Sequence, residues 1–119
     1  MGQYHKIVNL DKKQILHPHK FDDGLKLMEF GQSGQGTMAG LAVLLAASCK
    51  GGARGGGDVD SESTLVGSWA GDRIAIIGDY CEEDDVIGMT KEQLMDAYKA
   101  ENGYEDISEQ VRRGLASFR

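Results

Sequence analysis

The stretches QYHKIVNL (3–10) and QILH (14–17) are rich in strand-forming residues and flank Asp11-Lys12-Lys13, a pattern that predicts a β-hairpin. The apolar residues of DDGLKLMEF (22–30), Leu25, Leu27, Met28 and Phe30, fit neither the helical nor the strand period, so a short helix and a third strand both stay open. Residues 37–48 are apolar on every side and follow the flexible GQSGQG, which describes a buried central helix ending near Cys49, where KGGARGGGD begins a loop. TLVGSW (64–69) and RIAIIGDY (73–80) read as a second hairpin across Ala70-Gly71-Asp72, its second strand apolar on both faces and therefore central.

The C-terminal pattern is sharper. Thr90 and Gln93 have the spacing of a capping box, with Met89 and Leu94 as the hydrophobic staple across it, so a helix is expected to start at Lys91 and stop at Asn102-Gly103. Asp106 with Glu109 suggests the cap of a last helix whose Ile107, Val111, Leu115 and Phe118 share one face. No internal repeat interrupts this order. The expected fold is α+β in one domain spanning 1–119: a mainly antiparallel sheet from two hairpins, packed on a buried central helix and two C-terminal helices.

Length and composition agree with one domain. A chain of 119 residues is too short for two independent cores, and 40% hydrophobic with 27% charged residues is ordinary for a globular protein, even with 17 glycines. The first ten residues lack the succession of a signal peptide, and the longest apolar run, MAGLAVLLAA (38–47), is shorter than the roughly 20 residues that span a bilayer. A cytoplasmic protein is expected, with no membrane partner and with Cys49 and Cys81 as reduced thiols.

The net charge of −6 is unevenly placed. Between residues 58 and 106, fourteen acids oppose only Arg73, Lys91 and Lys99, a local charge of −11, whereas residues 1–57 sum to +3. Such a field repels nucleic acid and anionic membranes and suits a basic protein surface, for which Glu82, Glu83, Asp84 and Asp85 are the candidate contacts.

Three candidate sites follow from side-chain chemistry. Gly34, Gly36 and Ala39 fit GxGxxA before a helix, a spacing that lets backbone N–H groups approach a phosphate. The parallel βαβ context of a Rossmann unit and the lysine of a P-loop are both lacking, which leaves Thr37 as a helix cap. Arg54, Asp58, Asp72, Arg73 and Asp79 supply charges of both signs for acid, base or anion-binding roles beside that helix. His5, His17 and His19, with Asp22 or Asp23, would form a zinc set if paired hairpin positions sum to an even number; an odd sum puts His5 on the opposite face. The acidic run lacks the ligand order of an EF-hand. Cys81 sits among acids that raise its thiol pKa, no nucleophile elbow surrounds a serine, and no cofactor is implied.

Together the motifs MGQY, NLDK, HPHKF, GLKL, RGGGD and GSWAGDRIAIIGDY resemble a family of small uncharacterised proteins from bacteria and their phages. The resemblance covers residues 1–80, implies no activity, and carries no catalytic residue with it. The expected function is a non-enzymatic interaction module, of phage or mobile-element accessory or inhibitor type. The alternative is a protein or enzyme that takes a nucleotide or other phosphate-bearing ligand at the glycine-rich approach to the central helix.

Overall fold

The computed structural model describes residues 3–48 and 63–118. Strands β1 (His5–Asn9), β2 (Gln14–Leu16), β3 (Ile74–Gly78) and β4 (Glu105–Asp106) form a single sheet in the order β3-β1-β2-β4. Helices α1 (Leu27–Phe30), α2 (Thr37–Leu45), α3 (Lys91–Lys99) and α4 (Ser108–Phe118) surround it, and a 3-10 turn over Pro18–Phe21 follows β2.

The first hairpin forms as its sequence predicts, with Ile7 opposite Leu16 and Val8 opposite Ile15. The second does not. Residues 64–71 fold into consecutive turns rather than a strand, and β3 pairs antiparallel with β1 instead of with its chain neighbour. The turn segment is held to the end of α2: Gly67 N–H donates to the Val43 carbonyl at 2.9 Å and Trp69 N–H to the Leu44 carbonyl at 2.9 Å. These bonds satisfy carbonyls that a helix C-terminus leaves free, and they carry Val66 and Trp69 into the core, Trp69 with no exposed surface. β4 pairs parallel with β2, so the sheet is mixed rather than mainly antiparallel.

The core is split by this sheet rather than gathered around the apolar helix. Successive strand residues face opposite ways, so Ile7 and Leu16 pack with Phe21, Phe30, Leu41, Leu44, Trp69, Val111 and Leu115 on one face. Val8, Ile15 and Ile77 pack with Cys81, Leu94 and Ala97 of the α3 side on the other. α2 buries Gly40, Leu41, Val43 and Leu44 but exposes Ala42, so it covers one sheet face instead of lying at the centre. Gly40 lets α2 pack closely there: a Cβ would sit 3.0 Å from Val111 and 3.2 Å from Phe21, so those side chains would have to shift.

The ambiguous segment 22–30 resolves as a short helix, α1 from Leu27, and not as a third strand; Lys26 makes only an isolated bridge to Tyr4. α3 starts at Lys91, with Gln93 N–H donating to Thr90 Oγ1 at 3.2 Å and Thr90 N–H to Gln93 Oε1 at 2.9 Å. It stops earlier than Asn102-Gly103, at Ala100, whose φ of 54° is left-handed. Ile107, Val111 and Leu115 are buried as the last helix's pattern requires; the side chain of Phe118 lies outside the described residues.

Candidate interaction surface

The polar residues around β3 are held by partners within the fold. Asn9, at the end of β1 and without exposed surface, accepts from the N–H groups of Asp11 (2.9 Å) and Lys12 (2.8 Å) and donates its amide to Asp72 (2.9 Å). Asp72 also pairs with the Lys12 ammonium, and Arg73 donates its backbone N–H and its Nε to the Asp11 carboxylate at 2.8 and 2.9 Å. The hydrogen bonds from Lys12 and Asn9 hold the Asp72 carboxyl below the usual carboxylate range, and those from Arg73 do the same for Asp11. This network ties the β1–β2 turn to the start of β3. Asp79 closes the far end of the same ladder: its carboxylate accepts from Tyr4 N–H at 2.8 Å while its own N–H donates to the Tyr4 carbonyl at 2.9 Å. Asn9, the centre of the turn network, carries no sequence signal beyond its place before a turn.

The approach to α2 is also occupied from within. Gly36 is the cap position and Thr37 the first helical residue, which corrects Thr37 as the cap. The cap is Asp23, whose Oδ2 accepts from Thr37 N–H at 2.7 Å and from Thr37 Oγ1 at 2.6 Å; Ser33 Oγ accepts from Met38 N–H at 3.1 Å. An internal carboxylate therefore stands where a bound anion would meet the helix N-terminus. Gly36 leaves room for it, since a Cβ there would overlap the Asp23 carboxylate, whereas Gly34 is exposed with open space around it. Arg54 and Asp58 lie outside the described residues, as does Cys49.

The hairpin register has odd sums, so His5 faces away from the side that carries Lys6 and His17. His17 and His19 approach each other, with ring centroids 5.5 Å apart. Among the described residues no group of three or more His, Cys, Asp or Glu is placed to hold a metal ion. Burial first, then the neighbouring Lys6, holds His17 below the ordinary histidine range, with Asp106 opposing. Cys81 is a buried free thiol, and burial followed by the Asp85 carboxylate pushes its pKa up, the opposite of an activated nucleophile.

The acidic loop differs from these internally satisfied sites. Glu82, Glu83, Asp84 and Asp85 are all exposed. The loop that carries them is braced by its own hydrogen bonds: Glu82 N–H donates to Asp85 Oδ2 at 2.8 Å, Asp84 N–H to the Met89 carbonyl at 3.0 Å, and Gly88 N–H to Asp84 Oδ1 at 3.3 Å. Left-handed backbone at Asp84 and Gly88 turns the chain so that Val86 packs into the α3-side core while its neighbour Ile87 stands 95% exposed. Tyr80, on the near side of the acidic run, is 60% exposed. No protein-family model, curated protein or solved structure matches the chain. The arrangement itself, an exposed Ile87 and four exposed acids on one braced loop, is therefore what carries a functional reading. None of the helices is long and apolar enough to cross a membrane among the described residues.

A groove of about 310 Å³ opens beside this loop, walled by Leu10, Met89 and Tyr104 and crossed by the Lys13 and Arg73 side chains. The Lys13 ammonium lies 6.0 Å from the centre of the Tyr104 ring, an amphipathic wall next to Ile87.

Proposed function

We propose that this chain is a non-enzymatic interaction module that presents the 80–88 loop to a basic protein surface. Ile87 is the anchor that enters an apolar pocket of the partner, and Glu82, Glu83, Asp84 and Asp85 meet the Lys and Arg side chains around it. The observation that carries this reading is the 95% exposure of Ile87 on a loop whose backbone is already fixed, so that little ordering entropy is lost on binding. The cytoplasmic, phage-type accessory or inhibitor role is part of the same proposal and rests on the motif resemblance. The alternative, a phosphate-bearing ligand at the glycine-rich approach to α2, has the Asp23 carboxylate as a competitor for the same N–H groups.

The test is affinity capture with the wild-type chain, with Glu82→Lys/Glu83→Lys, and with Ile87→Ser. The two Glu replacements leave the carboxylate bonds of Asp84 and Asp85 in place, and Ile87 touches no core, so all three proteins fold alike. A partner recovered by the wild type and lost from both variants supports the reading. Recovery of the same partners by all three overturns it.

A further inference from the structure

The sheet leaves one long margin open. β3 is an edge strand, and the bonds flanking its ladder, Leu10 N–H to the Arg73 carbonyl and Asp79 N–H to the Tyr4 carbonyl, fix which residues bond inward. Antiparallel alternation then turns the backbone groups of Ala75 and Ile77 toward β1 and those of Ile74, Ile76 and Gly78 outward. Among the described residues no other strand pairs with that outer margin, and only the Gly78 carbonyl has a further partner, the Cys81 N–H at 3.1 Å. The strand reads Ile-Ala-Ile-Ile-Gly, with none of the Lys, Pro or inward charges that guard an edge against pairing. Its central Ile76 is 43% exposed.

We infer that β3 pairs antiparallel with β3 of a second copy of this chain, about a two-fold axis at Ile76, joining the two sheets into one. The occupant follows from self-complementarity. In a two-fold interface a residue that meets another across the seam is met by it in return, and only a residue on the axis faces its own mate; an axis at Ile76 sets Ile76 against Ile76, Ile74 against Gly78 and Arg73 against Asp79. Ile76 is an outward-bonding position in both copies, so the central pair exchanges both N–H to C=O bonds. The two exposed Ile76 side chains lie on the same sheet face and cover each other. At each end Arg73, three-quarters exposed though bonded to Asp11 of its own chain, stands at the position opposite Asp79 of the other copy, opposite in charge. A parallel arrangement would set Arg73 against Arg73. This pairing is independent of the loop proposed above to bind a basic surface.

Analytical ultracentrifugation of the full chain over a concentration series tests it, together with backbone amide hydrogen exchange on the same samples. The expected result is a monomer–dimer equilibrium in which the amides of Ile74, Ile76 and Gly78 slow as concentration rises. Ile76→Lys places like charges face to face and weakens the dimer by about tenfold or more, while Ile76→Val retains it. The exchange measurement on the wild type decides the matter even if a variant folds poorly. A wild-type chain that stays monomeric to roughly millimolar concentration, whatever else its edge binds, overturns the inference; so does a dimer whose β3 amides do not slow or which Ile76→Lys leaves intact.

Discussion

Asp23→Ala tests the self-capped helix most directly. The substitution removes the acceptor of Thr37 N–H and, with it, the acceptor of a hydroxyl on a residue that has no exposed surface. Loss of a helix cap costs about 1 kcal/mol. A buried hydroxyl left without its partner adds about 1–3 kcal/mol. The sum, about 3 kcal/mol, is a large share of a typical domain's stability and corresponds to a Tm lower by about 12 °C for a chain of this length. Asp22→Asn is the matched control: its carboxylate bonds Arg112 at 3.0 Å with both side chains largely exposed, which predicts a change within about 0.5 kcal/mol. Urea unfolding followed by circular dichroism at pH 7 measures both, and a thermal scan in inorganic phosphate adds a second readout. Phosphate is expected to raise the Tm of Asp23→Ala, whose helix N-terminus is vacated, and to leave the wild type unchanged. A loss below about 1 kcal/mol in Asp23→Ala, or a phosphate shift in the wild type, would refute the argument that the carboxylate fills this position.

Other expectations concern the sheet and its two cores. Asn9→Ala leaves the Asp11 and Lys12 amides and the Asp72 carboxylate without their shared partner and is expected to lower stability by about 2–4 kcal/mol in urea unfolding. Trp69→Phe removes the 2.7 Å bond from its indole Nε1 to Gln14 Oε1 and part of a fully buried side chain, a loss of about 1–3 kcal/mol read by circular dichroism. His17 has a folded pKa below its unfolded one, so its contribution is complete above about pH 6.5 and disappears as pH falls through the folded value. Unfolding curves between about pH 7 and 5 should therefore fall less steeply for His17→Gln than for the wild type.

Elements governed by neighbours in sequence were legible, and those governed by distant partners were not. The capping box at Thr90 and Gln93 lies within one helical turn, and the α3 start follows from it. The cap of α2 comes from Asp23, fourteen positions before Thr37, on a separate loop that no adjacent-residue pattern reaches. TLVGSW has strand propensity, but the bonds to the end of α2 and the burial of Trp69 outweigh it. β4 is two acidic residues with no strand signal; its pairing depends on Lys13, whose carbonyl accepts Glu105 N–H at 2.9 Å, and on the left-handed turn through Asn102 and Gly103. Of the candidate ligand-binding residues, Asp72, Arg73 and Asp79 are engaged by partners within the fold. The partners, Asn9, Lys12, Asp11 and Tyr4, lie sixty or more positions away.

The placement of β1 between a strand that follows it closely and one far down the chain sets an order of assembly. Pairing with β2 needs only a tight turn, whereas pairing with β3 requires a long loop to close, and the entropy of that closure favours a late step. Until then one flank of β1 waits with its backbone unmatched. At high protein concentration during refolding, that interval is when the β3 of a neighbouring molecule can take the vacant slot, so the yield of native monomeric units should rise on dilution.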